Sequence, residues 1–570
     1  MNTQKIDLLW PKEVEKEKLN YNQELMEDLK IEEVLDLMLL DKRYRNNLED
    51  EKEFICDKLT SNTEVIKYRL NILEDLLNNQ ELRDSFLEIM PLLKEIDNMR
   101  NPLFTKDYQL KSLVNRVGEL EIYVEVIEKL NESFAKLESD FNSEVLHKLA
   151  NQVKATAEED KFKALVNELP ELKKEFEQKR SLTIGVNLDT NLMPQTAVLV
   201  SVNNQRYTGG SLIEKLFMTK RNKFRGISNL TPAVEDNRPQ KRVSSFTKSI
   251  LQNLDEVMKD TIESAKKKIK KYMDINSELL LSLAPALKFY LGAVQLIEQV
   301  ESFGLPICRP EIAEKEARVC QIKNNYNLYL AQLFYGRITG DDSQELVKNE
   351  VNFDEEGRIF ILTGPNQGGK TVYTQSVGIS QVLLQLGLYV PGEKAVMSPV
   401  DGLFTHFQIE EKPESNLGRL GEECNRLKKI FKQANRYSLI LLNESLASTS
   451  PTESLYIAKE MLVSFKAIGV RAIYATHFHK LAKNLDKFNK LAPGDSKLKS
   501  LVSVTKEDET GELKRTYKIL PQPPEGLSHA KDIADDMGIR FDSIMSMLAE
   551  RDVIEEEIEF DNSSLDSFLD

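Results

Sequence analysis

The chain has 570 residues, of which 41% are hydrophobic and 30% charged, and its formal net charge is −15 at pH 7. This length is more than one hydrophobic core holds together, so three to four domains are expected, and the many charged residues favour a soluble, helix-rich protein. No run approaching eighteen apolar residues is apparent, which argues against a membrane span. The first residues lack the layout of a signal peptide, and four scattered cysteines without a CxxC pair indicate reduced thiols, so we expect a cytoplasmic protein.

Helical spacing dominates the first part of the chain. Residues 31–100 predict several short helices. From 110 to 153 apolar residues recur at a mean step of about 3.6, which predicts one uninterrupted helix about 65 Å long. A second helical run at 246–303, bent at Pro285, offers the partner that its apolar stripe needs. We interpret the two runs as the antiparallel arms of a lever on a helical core.

Between the arms the pattern changes to a small sheet and a basic segment. Residues 181–210 contain β-branched runs separated by turn residues, which predict strands. Residues 206–271 hold 16 Lys or Arg against 7 Asp or Glu, a local net charge of +9 on an acidic protein. Contact with phosphates requires such a basic island. The alternative is that these side chains only solvate helix faces.

Strand and helix signals alternate in the last part of the chain. RIFILT (358–363), SLILLNE (438–444) and VRAIYATH (470–477) predict strands of a largely parallel sheet covered on both faces, with the second strand beside the first. Residues 502–520 predict an antiparallel hairpin at its edge. Residues from 552 onward include 8 acids and no Lys or Arg, which predicts an acidic tail.

The sequence GPNQGGKT fits a phosphate-binding P-loop and stands between a predicted strand and a predicted helix. Glycines let backbone N–H groups curl around phosphates, Lys370 reaches the β and γ oxygens, and the Thr371 hydroxyl ligates Mg²⁺. We therefore expect ATP and Mg²⁺ as cofactors. The predicted nucleotide-binding residues are Gly364, Pro365, Asn366, Gln367, Gly368, Gly369, Lys370 and Thr371.

Residues after the second and third strands complete the predicted catalytic set. Asn443 is expected at the metal together with the P-loop threonine, but its amide brings no charge, so Mg²⁺ should bind more weakly than beside a carboxylate. Glu444 is expected to activate water and His477 to sense the γ-phosphate, with Lys370 as the third catalytic residue. The alternative is that hydrolysis has been lost and only a nucleotide-gated shape change remains. The other histidines, including His406, have no metal-ligand spacing with cysteines and are treated as ordinary.

With these motifs placed, the sequence resembles the MutS family of ATPases, a branch of the ABC-type group. The likeness rests on LGLYVPGEKAVMSPVDGLFTHF (386–407), NESLASTSPTESLYIA (443–458), YATHFHKL (474–481) and PQPPEGLSHAKDIADDMGI (521–539). It covers roughly residues 31–550. It implies a multidomain fold: an all-α core and lever with a small β/basic clamp-like module, then a C-terminal α/β P-loop (ABC-type) ATPase domain.

The resemblance also implies a homodimer, in which each P-loop is completed by the signature segment and D-loop of the partner. The residues expected to act across that interface are Ser415, Asn416, Gly418, Thr449 and Ser450. The family usually carries a serine near Gly418. With Asn443, this makes two departures in the catalytic machinery, so slow hydrolysis is expected.

A third departure concerns mismatch recognition. Only about thirty residues precede the helical core, without a Phe-x-Glu wedge domain, and no small nuclease domain is recognised after the ATPase. The resemblance therefore implies recognition of double-stranded or branched DNA by its structure, in repair or recombination. The residues predicted to touch phosphates, without base specificity, are Lys220, Arg221, Lys223, Arg225, Lys241 and Arg242.

The predicted domain division follows from these patterns. It comprises an N-terminal segment (1–30), the helical core and ascending lever (31–180), the clamp-like module (181–247), the descending lever (248–303), a connector (304–350), the ATPase domain (351–545) and an acidic tail (546–570). The competing hypothesis is a nucleotide-sensing scaffold that binds protein partners, with the acidic tail as one docking segment. A DNA-cutting enzyme is a third possibility, which lacks a carboxylate or histidine cluster outside the P-loop site.

Overall fold

The chain forms two compact units in a computed structural model. The model describes residues 6–16, 19, 21–41, 48–100, 109–137, 141–177, 181–192, 194–205, 255, 258–275, 277–336, 345–408, 418–446, 450–507, 513–524 and 541–551. The first unit comprises Met1–Glu13, Leu40–Asn46 and Asn71–Val294, and the second comprises Val14–Leu39, Asn47–Leu70 and Gln295–Asp570.

Helices make up most of the described part of the chain before residue 303. They are α1 (Gln23–Leu29), α2 (Ile31–Leu35), α3 (Leu48–Cys56), α4 (Thr63–Asn78), α5 (Gln80–Arg100), α6 (Gln109–Lys136), α7 (Glu144–Glu158), α8 (Asp160–Glu177), α9 (Lys259–Ile269) and α10 (Glu278–Ser302). The later helices are α11 (Leu328–Tyr335), α12 (Lys370–Leu386), α13 (Arg419–Gln433), α14 (Pro451–Ile468), α15 (His479–Lys483), α16 (Leu485–Leu491) and α17 (Phe541–Glu550).

The strands fall into small sheets and one larger sheet. They are β1 (Ser181–Leu188), β2 (Pro194–Asn203), β3 (Ile307–Cys308), β4 (Glu311–Ile312), β5 (Cys320–Asn325), β6 (Asn349–Phe353), β7 (Ile359–Thr363), β8 (Val390–Pro391), β9 (Lys394–Met397), β10 (Leu403–Phe407), β11 (Leu439–Asn443), β12 (Arg471–Ala475), β13 (Leu498–Glu507) and β14 (Leu513–Leu520). The antiparallel pair of β1 and β2 in the first unit is the small sheet that the sequence predicts.

The prediction of one uninterrupted helix over 110–153 is wrong, because α6 ends at Lys136 and α7 begins at Glu144. The buried carboxylate of Asp75 accepts the backbone N–H groups of Asn142 at 2.7 Å and Ser143 at 2.8 Å. The Ser143 side chain in turn accepts the N–H of Leu146 and caps α7. These acceptors replace the helical bonds that a continuous helix would make at this point.

The second helical run is also interrupted, before α10, and Pro285, where a bend is expected, lies inside that helix. At the break, the guanidinium of Arg116 donates to the carbonyl oxygens of Tyr272 and Ile275, at 2.9 and 2.6 Å. Helix termini leave carbonyl groups without intrahelical partners. The side chain on α6 therefore stabilises the break.

Helix α10 corrects the expectation that no stretch has the length and apolar character of a membrane span. Among the described helices it is the one that meets both conditions, with a mean hydropathy of 1.6 over eighteen residues. Two thirds of that window, 67%, is buried inside the protein. Such burial is typical of the core helix of a globular protein.

The larger sheet lies in the second unit, in the order β10-β11-β12-β7-β13-β14. Its pairs are parallel from β10 to β13, and β14 pairs antiparallel at the edge, which confirms the predicted mixture. On one face Ile440 of β11 joins a core with residues of α13 and α14, among them Phe465. On the other face Gly378 of α12 lies against Leu441, so both faces are covered.

The prediction that β11 lies beside β7 is wrong, because β12 lies between them. The chain leaves β7 through α12 and enters the sheet again at β10, a strand that the sequence analysis does not identify. Strands β10, β11 and β12 then pair in chain order, as consecutive strands usually do. The last of the three therefore takes the position next to β7.

Segments outside the predicted ATPase range 351–545 contribute to the second unit. Strand β9 pairs with β4 and β5, so the predicted connector supplies strands to a four-stranded sheet. From the N-terminal part, the Asp28 carbonyl accepts the side-chain amide of Gln375 at 2.8 Å, and a Cβ on Gly378 would lie 2.6 Å from Leu29. Helix α12 thus packs directly against the end of α1.

An ion-pair cluster lies at the amino-terminal edge of the parallel sheet. The carboxylate of Asp495, just before β13, accepts Arg318 and also Arg436 at 2.5 Å, while Arg358 lies 3.8 Å away. The bond from Arg318 is the main cause that lowers the pKa of Asp495 to about 2. The Asp495 carboxylate thereby links the segments that precede β5, β7 and β11.

Candidate nucleotide site

The predicted P-loop follows β7 and leads into α12. Gly364 and Gly369 have φ angles of 139° and 88°, which residues with a side chain rarely adopt. A Cβ on Gly364 would lie 2.7 Å from the Ser503 side chain, and the Ser503 hydroxyl donates to the Gly368 carbonyl at 2.5 Å. Glycine thus allows the close approach of β13, which supports the loop.

The N-terminus of α12 is suited to an anion. Gly369, its N-cap, has no side chain that could bond the first backbone N–H groups. Those groups carry the positive end of the helix dipole. The buried ammonium of Lys370, the first helical residue, donates to the carbonyl oxygens of Gly364 at 3.0 Å and Pro365 at 2.8 Å. A phosphate would therefore meet both the amides and this lysine.

Burial lowers the pKa of Lys370 to about 8, and the nearby Glu444 carboxylate opposes that effect. Two neutral carbonyl oxygens only partly replace the water that an ammonium group loses on burial. A bound polyphosphate would supply the missing negative charge. The lysine is therefore electrostatically prepared for such a ligand.

Thr371 and Asn443 form the predicted metal-holding pair. The Thr371 hydroxyl, in the first turn of α12, donates to Oδ1 of Asn443 at the end of β11 at 3.1 Å, although β12 separates β11 from β7, the strand that leads to α12. Oxygen ligands of this kind suit Mg²⁺, which keeps several of its waters in proteins. The pair fits the ion in chemistry but contributes no negative charge.

Glu444 and His477 meet at the carboxyl edge of the sheet. The Glu444 backbone N–H donates to the Ala475 carbonyl at 2.9 Å, which fixes the residue beside the end of β12. Its carboxylate accepts Nε2 of His477 at 2.9 Å. This bond is the main cause that lowers the pKa of Glu444, so the carboxylate is ionised at neutral pH. Glu444 is thus held in the state that a general base requires.

A cavity of about 540 Å³ opens beside the P-loop, and the sequence analysis predicts its P-loop side and Glu444 but not the rest of its wall. Its size lies within the range of ligand pockets. The residues that line it are Asn325, Tyr326, Asn327, Leu330, Phe334, Glu345, Leu346, Val347, Asn349, Gln367, Gly368, Gly369, Lys370, Thr371, Val372, Tyr373, Ser376, Glu444 and Tyr517. Many of them belong to the predicted connector, which has no spaced motif that would reveal this role.

Two contacts from the β14 strand close the cavity near the loop. Arg515 donates to Oε1 of Gln367 at 2.6 Å, and the side chain of Asn349 donates to the Tyr517 carbonyl at 3.1 Å. Tyr517 has a φ of 55°, uncommon for an aromatic residue. These bonds hold the Tyr517 backbone in that conformation beside the P-loop.

The predicted partner-facing and DNA-contacting residues are only partly described. Gly418 is the exposed N-cap of α13, where an added Cβ would meet no atom within 4 Å. Ser450 caps α14 and accepts the Glu453 N–H at 3.4 Å. The remaining residues predicted to contact a partner subunit or DNA lie outside the described part of the chain, namely Ser415, Asn416, Thr449, Lys220, Arg221, Lys223, Arg225, Lys241 and Arg242.

Comparisons with known families find two matches along the chain. The model of the MutS2 N-terminal domain matches residues 61–303, and the model of MutS domain V matches residues 360–525. The second range contains the P-loop, Glu444 and His477.

Curated relatives include proteins with two names. Endonuclease MutS2 of Ligilactobacillus salivarius is 22% identical over 81% of this chain and 53% of its own length. Endonuclease MutS2 of Thermomicrobium roseum is 32% identical over 36% of the chain and 24% of its length. DNA mismatch repair protein MutS of Chlorobium phaeovibrioides is 30% identical over 34% of the chain and 22% of its length. The chain thus spans about half or less of these relatives.

Proposed function

Since the chain belongs to the MutS family, we propose that it binds and hydrolyses ATP and uses the nucleotide cycle to grip DNA. One observation carries the nucleotide part. Lys370, Thr371 and Glu444 all line one cavity of about 540 Å³ at the carboxyl edge of a parallel sheet. Ligands of open α/β sheets bind at this edge.

Each residue of the site has a proposed role. Lys370 and the amides of α12 bind the β- and γ-phosphates, and Thr371 and Asn443 hold Mg²⁺, which neutralises phosphate charge when bound. Glu444 accepts a proton from the attacking water or orients it. His477 orients the Glu444 carboxylate through their 2.9 Å bond and lies where it senses the terminal phosphate.

The base and sugar are proposed to occupy the rest of the cavity. Tyr326, Leu330, Phe334 and Leu346 supply aromatic and aliphatic surface away from the phosphates. Tyr517 lies between this surface and the P-loop, so it is suited to contact the base with its ring. A nucleotide would then bridge the predicted connector and the P-loop.

The proposed action on DNA rests on the family and on the basic segment, of which residues 206–254 lie outside the described part of the chain. We propose a homodimer that recognises double-stranded or branched DNA by structure, in repair or recombination, through Lys220, Arg221 and the neighbouring basic residues. Closure on ATP would favour the gripping state, as any ligand favours the state that it binds more tightly.

Calorimetry with ATP and magnesium tests nucleotide binding. The intact protein is expected to bind, and Lys370→Ala to lose at least about tenfold in affinity, because its buried charge is removed. Lys432→Ala, which removes an exposed lysine at the end of α13, serves as the matched control. Equal binding by Lys370→Ala and the control would contradict the assignment of the P-loop.

Phosphate release tests hydrolysis separately from binding. Glu444→Gln preserves the size of the side chain but removes the base, so turnover should fall at least about a hundredfold while ATP still binds. If the intact protein releases phosphate no faster than Lys370→Ala, it is a nucleotide-sensing protein without hydrolysis. The uncharged Asn443 favours that second candidate.

Binding of branched and linear duplex DNA across a salt series separates a DNA clamp from a protein scaffold. Phosphate contacts make the affinity fall steeply as salt rises, and reversing Lys220 and Arg221 to Glu should reduce that slope. A matched reversal of Lys428 and Lys432 on α13 is expected to leave it unchanged. Light scattering with and without ATP reports the dimer. A flat salt response would favour the scaffold.

A further inference from the structure

His406 near the end of β10 lies at the centre of a buried network that the P-loop chemistry does not include. Its exposed fraction is 1%, and the sequence pattern gives it no role. One ring nitrogen, Nδ1, lies 2.7 Å from the hydroxyl of Ser445, the residue directly after Glu444. The other, Nε2, lies 3.2 Å from the backbone carbonyl of Glu423 on α13.

The surroundings of the ring define its hydrogen bonds. Burial is the main cause that lowers the pKa of His406 to about 4, so the ring is neutral at physiological pH. A carbonyl oxygen only accepts, so Nε2 carries the hydrogen and donates to Glu423. Nδ1 must then accept from the Ser445 hydroxyl, whose oxygen also lies 3.0 Å from the backbone carbonyl of His406, so the single hydroxyl proton is shared between these two acceptors.

Ser445 stands in a strained turn. Glu444 and Leu446, on either side of it, have φ angles of 52° and 67°, in the left-handed region. Such a conformation is unfavourable for a residue with a side chain, and it persists only where surrounding contacts hold it. The direction of the Glu444 carboxylate therefore depends on what holds this turn.

Three buried side chains hold the turn in place. Besides the ring of His406, the Tyr474 hydroxyl donates to the Ser445 carbonyl at 3.1 Å, and the Ser454 hydroxyl donates to the Leu446 carbonyl at 2.6 Å. Tyr474 belongs to β12, the strand that pairs with β11 beside the turn. Ser454 belongs to α14, the helix that follows the turn in sequence. Among these three, His406 is the one that also bonds α13.

We propose that His406 is a positioning residue that couples the orientation of α13 to the Glu444 carboxylate. Helix α13 directly follows its N-cap Gly418, in the segment expected to face the nucleotide of a partner. If the first two turns of α13 move, the Glu423 carbonyl moves with them and shifts the imidazole ring that is bonded to it. The ring in turn shifts Ser445 and the adjacent Glu444. The inference rests on the proposed ATP hydrolysis, because it assigns Glu444 as the group that is positioned.

Turnover and nucleotide affinity of single variants test the proposal. His406→Leu and Ser445→Ala should each lower kcat about tenfold, because a small displacement of a base is costly, while the Kd for ATP changes less than about twofold. The double variant should be no slower than the slower single one, since both changes break one link. His406→Asn places an amide oxygen near the Nδ1 position, so it should recover at least about a third of the turnover.

Ser398→Ala is the matched control for a general loss of packing. Ser398 is a fully buried serine of the same unit whose hydroxyl donates to the Glu314 carbonyl at 2.7 Å, away from the nucleotide residues. Its variant should lose stability as Ser445→Ala does but keep its kcat. An equal loss of kcat in both variants, or no loss in His406→Leu, would overturn the proposal.

Amide hydrogen exchange makes the outcome independent of hydrolysis. In His406→Leu, exchange should accelerate together in peptides that cover 419–427 and 439–446, and Ser398→Ala should leave both unchanged. If the intact protein proves unable to hydrolyse ATP, the proposed function fails on its own, and exchange still decides the coupling. Unchanged exchange in either peptide of His406→Leu would refute the link.

Discussion

Proton uptake on ATP binding follows from the environment of Lys370. Burial lowers its pKa from 10.5 to about 8, which corresponds to about 3 kcal/mol against the charged form. In the protein without ATP, Lys370 is then about 10%, 50% and 90% deprotonated at pH 7, 8 and 9. A triphosphate bound to its ammonium restores the charge. ATP binding should therefore take up about 0.1, 0.5 and 0.9 protons at these pH values.

Calorimetry in two buffers with different ionisation enthalpies measures that uptake at each pH. Lys432→Met should show the same increase with pH as the intact protein, because its exposed lysine does not line the cavity. Lys370→Met should lose the increase in whatever binding remains. Tight binding with the same proton uptake at pH 7 and pH 9 would refute the reasoning, since it would mean that Lys370 is charged throughout.

Three further predictions concern other parts of the chain. Asn443→Asp should lower the magnesium concentration that half-saturates turnover by about tenfold, because it adds a charge to the metal-holding pair; an unchanged value would contradict this role. Asp495→Asn should destabilise the protein by about 1 to 2 kcal/mol in denaturant unfolding at pH 7, a modest value because the carboxylate is 45% exposed. Because its folded pKa is lowered from 3.8 to about 2, this contribution is complete above about pH 4 and declines toward pH 2; a loss that persists unchanged at pH 3 and below would contradict the charge argument. Asp75→Ala should cost about 1 to 3 kcal/mol, monitored by Trp10, the only tryptophan of the chain, which is buried in the same unit; unfolding identical to that of the intact protein would show that the cap before α7 is dispensable.

The position of the candidate site at one edge of the sheet was predictable because local patterns determine it. The P-loop string, Glu444 and His477 each follow a short apolar strand, and the carboxyl ends of parallel strands share one edge. Their proximity therefore did not require the strand order to be known. The order itself was not predictable, because the polar Thr405 and His406 keep β10 from looking like an apolar strand, and three strands in chain order place β12 beside β7 only once β10 is counted.

Other features depend on contacts between residues far apart in sequence. The break between α6 and α7 is stabilised by Asp75, which lies 68 residues before Ser143, and the apolar spacing continues across the break. The cavity wall depends on Asn349 and Tyr517, which are 168 residues apart. Periodicity and short motifs contain no information about such pairs, so the sequence could not reveal the break or the cavity wall.

The mixed origin of the second unit has a consequence for synthesis on the ribosome. Its residues Val14–Leu39 emerge early, yet the Asp28 carbonyl binds Gln375, which follows 347 residues later. At about 5 to 20 residues per second, α1 must wait roughly 17 to 70 s for helix α12. During that interval its buried leucines lack their native cover, so nascent chains should depend on chaperones. A fragment that starts at residue 351 lacks Leu29, so the surface of α12 around Gly378 that this leucine covers would stay exposed.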